Sequence, residues 1–69
     1  MFYIIIETQV AANGEVSCLT TTFEDEADAD AKFHTVLAAA AKSSLPYHSC
    51  HKMREGITVE GKVYDRRQS

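Results

Sequence analysis

The feature that most constrains this chain is a single helix-like stretch in its middle, which covers residues 24–42. Its first turns are rich in acids, which suit the positive end of a helix dipole. Residues 38–41 are four successive alanines, the best helix formers. The segments on both sides are short and rich in β-branched and aromatic residues, as strands are. One helix between two pairs of extended segments predicts one small sheet with a single helix on it.

The flanking sequence divides into four predicted strands at residues 2–10, 16–22, 47–54 and 57–64. Asn13-Gly14 predicts a hairpin with a type I′ turn, because both central residues of that turn need positive φ, and Glu55-Gly56 predicts a second hairpin less strongly. We therefore expect one α+β domain of ββαββ order over residues 1–64, with a four-stranded, mainly antiparallel sheet and the helix packed on one face. The first strand is the most apolar, so we place it inside the sheet, next to either of the last two strands.

Further expectations concern local structure. Thr22 is expected to cap the helix, with Asp25 three residues later in a variant of the capping box. The helix stripe expected to face the sheet consists of Phe33, Val36, Leu37, Ala40 and Ala41. The inward-facing residues of the fourth strand are expected to be Ile57, Val59 and Val63. Gly61 is expected to mark a bulge or a close approach of the helix, and residues 65–69 are expected to form a frayed tail.

Length and composition limit the class of protein. A chain of 69 residues forms one domain and buries only ~60% of its unfolded surface, so a disulfide, a metal or self-association usually adds stability. Cys18 and Cys50 are far apart in sequence, and two reduced thiols are favoured over one long-range bridge. The net charge of −3 gives no basic footprint for nucleic acid, and the apolar start of the chain is too short for a signal peptide or membrane span. We expect a soluble protein, cytoplasmic in a host cell or phage-associated.

The first predicted strand is apolar on both of its sides, whereas one helix covers only one face of a sheet. A small domain with a spare apolar face is a candidate for self-association, most simply as a homodimer. The residues predicted to form this self-association face are Tyr3, Ile5, Leu19 and Tyr64. The alternative is that the terminal segments fold over the same face.

The acids at the start of the helix form a second candidate surface. The residues predicted to meet a basic protein partner are Asp25, Glu26, Asp28 and Asp30. The alternative is a solvated helix start whose charges match the helix dipole.

Histidine and cysteine give the candidate chemistry in the sequence. His48 and Cys50 share one face of the third predicted strand, and Cys18 and His34 would have to complete a zinc site. That spacing matches no standard zinc pattern. A cysteine nucleophile would need an oriented base and a substrate pocket, which a chain of this size does not easily provide. The sequence therefore predicts no catalytic residue, no metal and no cofactor, and we do not expect an enzyme.

Two stretches of the chain resemble a known group of proteins. One is residues 32–41 (KFHTVLAAAA), followed by Ser43-Ser44, Pro46 and His48, and the other is the opening MFYIIIE with the Asn13-Gly14 turn. Both are similar to segments of very small proteins of Firmicutes phages and prophages, and the resemblance extends over nearly the whole chain. It implies a phage or mobile-element origin. Proteins of this group are generally of unassigned function, so it implies no active-site residue.

Together these expectations describe a non-catalytic, self-associating module of phage or prophage origin that acts by binding another protein. The alternative is an acidic inhibitor of a host nuclease or defence protein that acts as a nucleic-acid mimic. Partner binding that weakens with salt and is lost in Asp28→Lys plus Asp30→Lys would favour the inhibitor, whereas an apolar contact should survive both changes. No direct contact with nucleic acid or a membrane is expected.

Overall fold

The computed structural model describes residues 1–67. Its elements are β1 (Tyr3–Val10), β2 (Val16–Phe23), α1 (Glu26–Lys42), β3 (Tyr47–Arg54) and β4 (Ile57–Asp65). The strands form one antiparallel sheet in the order β2-β1-β3-β4, and α1 packs on one face of it. The predicted ββαββ, α+β fold is confirmed. β1 lies inside the sheet, and its second neighbour is β3, which the sequence left open.

The helix begins later than the sequence predicts. β2 continues to Phe23, and Thr22 is paired with Ile4 in the sheet, so Thr22 does not cap the helix. Asp25 is the N-cap instead, and its Oδ1 accepts a hydrogen bond from the Ala27 N–H at 2.8 Å. Because Thr22 pairs with β1, the predicted capping box does not form, and Asp25 caps the helix three residues later.

The first hairpin turn differs from the one that its sequence predicts, whereas the second hairpin forms at Glu55-Gly56 as predicted. At the first turn only Gly14 has positive φ (89°), and its N–H donates to the Ala11 carbonyl at 2.9 Å. This is a three-residue loop with a glycine in the left-handed region, and the predicted type I′ turn at Asn13-Gly14 is wrong. At the second turn both Glu55 (φ 51°) and Gly56 (φ 93°) have positive φ, as a type I′ turn requires.

The hydrophobic core lies between α1 and the two central strands. Tyr3 and Ile5, which were predicted for the uncovered face, point toward the helix and are only 7% and 1% exposed. They pack with a group of buried residues from the helix and β3, namely Ala29, Phe33, Val36 and Cys50. Of the predicted helix stripe, Phe33, Val36 and Ala40 are buried, whereas Ala41 is exposed.

Leu19 and Tyr64, the other two predicted self-association residues, lie on the same covered side of the sheet. Residues opposite each other on antiparallel strands share a face. Leu19 is opposite Glu7 on β1 and Tyr64 is opposite His48 on β3. The sequence therefore grouped the four residues correctly but assigned them to the wrong face. Leu19 is still 60% exposed, because β2 lies at the margin of the sheet beyond the helix.

The outer strand β4 receives little cover from the helix. The predicted inward row is wrong, since Ile57, Val59 and Val63 are 69%, 49% and 47% exposed. The register of β4 shifts opposite Lys52 and Met53, which marks a bulge. Gly61 lies directly opposite His51, and a Cβ there would lie 2.9 Å from the imidazole Nε2. Gly61 therefore makes room for a histidine ring rather than for the helix.

The predicted frayed tail is wrong over the described residues. Asp65 is the last residue of β4, and the Arg66 N–H donates to the Pro46 carbonyl at 2.7 Å. The Arg66 guanidinium donates to the Ala40 carbonyl at 2.9 Å, which satisfies a carbonyl at the end of α1. Residues 68–69 lie outside the described part of the chain.

Candidate functional site

Among residues 1–67, no helix or strand covers the side of the sheet away from α1, and we call this side the open face. Tyr3 and Ile5 are buried against the helix, so they identify the covered side of β1. The strand register then shows on which side of the sheet each paired residue of the other strands lies. The open face consists of the even-numbered residues of β1 and β2, the odd-numbered residues of β3, and Thr58, Gly61, Val63 and Asp65 of β4.

The open face is almost free of charge. Its apolar members are Ile4, Ile6, Val10, Val16, Cys18, Tyr47, Met53 and Val63. Within residues 1–67 its one carboxylate is Asp65, at one end, where it binds Arg67 at 2.9 Å. This hydrogen bond lowers the pKa of Asp65 to about 2. An uncovered surface with this many apolar side chains usually marks a contact with another macromolecule.

The covered side of the sheet contains a buried polar cluster near the C-terminal end of β1. His48 is 3% exposed, and its Nε2 lies 2.6 Å from Oε2 of Glu7. The same carboxylate oxygen accepts a hydrogen bond from Gln9 at 3.0 Å. Cys50, directly opposite Glu7, is fully buried. Its burial, and secondarily the Glu7 charge, raises the pKa of the Cys50 thiol to about 11.

This polar cluster has the residue types of a nucleophilic site but not its electrostatics. A catalytic cysteine needs a lowered pKa and access to a substrate, whereas Cys50 has a raised pKa and no exposure. His48 Nδ1 is buried without a hydrogen-bond partner among the described groups. Only the Glu7 carboxylate and the Gln9 amide are partly exposed, whereas the side chain of His48 is 4% exposed. The evident role of the polar cluster is to connect β1 to β3 under the helix.

The two cysteines lie on opposite faces of the sheet. Cys18 is exposed on the open face, Cys50 is buried on the covered face, and both are free thiols. A bridge between them is thus excluded by the fold. In the part of the chain that the structure describes, no three or more His, Cys, Asp or Glu side chains are grouped so that they could hold a metal ion.

The predicted acidic surface separates into engaged and free carboxylates. Asp25 caps the helix, and Asp30 binds the ammonium group of Lys52, which is only 5% exposed. The hydrogen bond to Asp30 raises the pKa of Lys52. Glu26 and Asp28 are exposed, and they are the two of the four predicted acids that remain available to a partner.

An open groove of ≈ 450 Å³ lies at the end of the sheet near the start of the helix. Its lining consists of Phe2, Thr22, Phe23 and Glu24. Two aromatic rings with one carboxylate offer an apolar side chain a contact, but too few converging polar groups for a specific small-molecule site.

Sequence reasoning missed the Glu7–His48 pair and the true membership of the open face. The pair depends on β1 lying beside β3, which local patterns do not reveal. One usable indication was present, because Glu7 and Gln9 continue the same side of β1 as Tyr3 and Ile5. When the side chains on one side of a strand change from apolar to polar along the strand, the core is expected to be polar at that end.

Comparison with protein-family models, with curated proteins and with solved structures finds no match to this chain. Across residues 1–67, no helix is long and apolar enough to cross a membrane.

Proposed function

We propose that this protein is a non-catalytic, self-associating protein-binding module of phage or prophage origin, and that two copies pack with their open faces together. The observation that carries the proposal is the open face, which has eight apolar residues and, within residues 1–67, one carboxylate at its end. The resemblance of residues 32–41 to small phage proteins supports the origin. The helix acids stay outside such a dimer, since α1 lies on the other side of the sheet.

The size of the open face determines how firmly two copies would associate. Four strands ~4.8 Å apart, three of eight residues and one of nine at ~3.3 Å per residue, give a projected face of ~500 Å². A typical stable interface buries ~800 Å² per partner. A dimer held by this face alone is therefore expected to dissociate on dilution. Its concentration dependence is the property to measure.

A charge placed on the open face tests the proposal. In Val63→Lys a lysine enters β4 on that face, two residues before the end of the strand, and burying its ammonium group should prevent association. Ile57→Lys is the matched control, because Ile57 is also exposed on β4 but pairs with Arg54 on the covered side. We expect sedimentation equilibrium to give a lower mass for Val63→Lys and an unchanged mass for Ile57→Lys. Equal masses for wild type and Val63→Lys would contradict the open-face contact.

The second candidate function is an acidic inhibitor of a host nuclease or defence protein that mimics nucleic acid. It is supported by the exposed carboxylates of Glu24, Glu26 and Asp28 at one end of the helix. Asp30 is unsuitable for its test, because Asp30→Lys would place a second cation beside buried Lys52. Glu26→Lys plus Asp28→Lys is the better variant. Salt-sensitive binding to a purified basic nuclease that this variant abolishes would favour the inhibitor, whereas unchanged binding would exclude it.

A further inference from the structure

The two edges of the sheet differ in how they are protected. β4 has the bulge opposite Lys52 and Met53, and it includes the charged residues Glu60 and Lys62. β2 is eight residues long and has no charged residue, proline or glycine. Its register with β1 is continuous along the whole strand. Proteins usually protect a sheet edge with charges, prolines or bulges, and β2 has none of these protections.

The backbone groups that β2 offers at this edge follow from the first hairpin. The Ala11 N–H donates to the Glu15 carbonyl at 2.9 Å, so this pair is hydrogen-bonded. Bonded and non-bonded pairs alternate along an antiparallel ladder. The N–H and C=O groups of the even-numbered residues of β2 therefore point away from β1. Over residues 1–67, β1 is the strand paired with β2, and no other strand lies at this edge.

We propose that β2 pairs antiparallel with β2 of a second copy of this chain, which joins two sheets into one continuous sheet of eight strands. One register lets all the outward-pointing N–H and C=O groups of β2 form hydrogen bonds. It places Val16 opposite Thr22 of the other copy and Cys18 opposite Thr20. In this register Leu19 lies directly opposite Leu19 at the two-fold axis. This edge contact is separate from the open-face contact proposed above and does not require it.

The side chains of β2 suit this register. Leu19 is 60% exposed in the single chain, and at the two-fold axis it would pack against its own copy in a non-hydrogen-bonded pair, where side chains approach most closely. The register brings no two like charges together, since β2 has no charged residue. The exposed leucine thus becomes the apolar centre of the contact.

The edge contact also enlarges the open face. A two-fold axis perpendicular to the sheet keeps both helices on one side and joins both open faces on the other. The joined face has a projected area of ~1,000 Å², which exceeds the ~800 Å² per partner of a typical stable interface. Two such pairs stacked open face to open face form a closed assembly of four copies with D2 symmetry.

Charge at Leu19 tests the edge contact by mass. Light scattering should give four copies for wild type and two for Leu19→Lys, in which two ammonium groups would meet at the axis. Leu19→Thr, which introduces a neutral β-branched side chain, is the matched control and should remain at four copies.

The two contacts can also be tested together, since Val63→Lys should give two copies and Leu19→Lys plus Val63→Lys should give one. If Leu19→Lys has the same mass as wild type, the edge contact is overturned. This holds even if Val63→Lys has a lower mass than wild type, which would support the open-face contact alone. A single-chain mass for wild type overturns both.

A cross-link tests the register without depending on mass. In a Cys18→Ser background, Leu19→Cys should form a disulfide between copies on mild oxidation, because opposed residues of a non-hydrogen-bonded pair have Cα atoms ~4.5 Å apart. Ser17→Cys in the same background is the control, since Ser17 would lie ~13 Å along the strand from its own copy. Rapid cross-linking of Leu19→Cys alone is expected. Equal rates for the two variants would indicate random collision and overturn the register.

Discussion

At the residue scale, the two cysteines show how position in the sheet decides chemistry. Both lie in strands, and adjacent positions alternate between the faces of a strand. Cys18 is exposed on the open face, whereas Cys50 is fully buried beneath the helix. The sequence suggested that both were free thiols, but it did not indicate which one was buried, because that depends on which face the helix covers.

Thiol labelling should distinguish the two cysteines. In dilute solution, where the open face is free, one thiol (Cys18) should react rapidly with a disulfide reagent, and the second (Cys50) should react only after unfolding. Substitution Cys18→Ser should remove the rapid phase. Two rapid thiols in the native wild type would contradict the burial of Cys50.

The raised pKa of Cys50 should make the protein less stable in alkali. The thiol of the unfolded chain ionises near the ordinary cysteine pKa of 9.0, whereas the folded thiol stays protonated until about 11. Between these values the unfolded state binds fewer protons, so the free energy of unfolding falls as pH rises. Denaturant titrations at pH 8 to 11 should show a fall of about 1–2 kcal/mol that Cys50→Ala lacks. Lys52 also favours loss of stability at high pH in both proteins, so parallel curves for the two would rule out the Cys50 contribution.

Gly61 should be required because of one neighbour, His51. Glycine weakens a strand, so alanine would ordinarily be favourable there. Here the new methyl group would meet the imidazole of His51, and Gly61→Ala should reduce the free energy of unfolding by about 1 kcal/mol. In a His51→Ala background the same change should be neutral or stabilising. An identical cost in both backgrounds would show that the ring is not the cause.

At the element scale, most boundaries were predictable and the junctions were not. The predicted bounds of β3 match the structure, and those of β2 and β4 each fall one residue short. β-branched and apolar composition defines strands well, because it reports burial on a pleated surface. The helix start and the first turn differed because they depend on pairing across the sheet, as when Thr22 joins β2 rather than capping α1.

The acids of α1 should differ in their effect on stability. Asp30→Asn removes the charge partner of buried Lys52 and should lower the free energy of unfolding by about 1–2 kcal/mol, with Glu60 (3.6 Å from Lys52) retaining part of the interaction. Asp28→Asn, two residues earlier and exposed, should stay within about 0.5 kcal/mol. Chemical denaturation of both variants measures the difference. Equal small effects would mean that the Lys52–Asp30 pair does not stabilise the fold.

At the scale of the whole molecule, the sequence predicted that one sheet face would remain uncovered but assigned the wrong residues to it. β1 has isoleucines on both sides, so its own composition does not indicate which side the helix covers. The choice depends on the neighbouring strands, where Cys50 and His48 lie on the side of Ile5. The strand order β2-β1-β3-β4 is equally a property of the whole chain, and no local pattern determines it.

Light scattering coupled to size exclusion, over a wide range of protein concentration, tests the central claim of self-association most directly. We expect the mass of wild type to rise with concentration from that of one chain to that of an assembly. Val63→Lys should lower the mass of the assembly, and Ile57→Lys should leave it unchanged. A single-chain mass for wild type at every concentration would contradict the account.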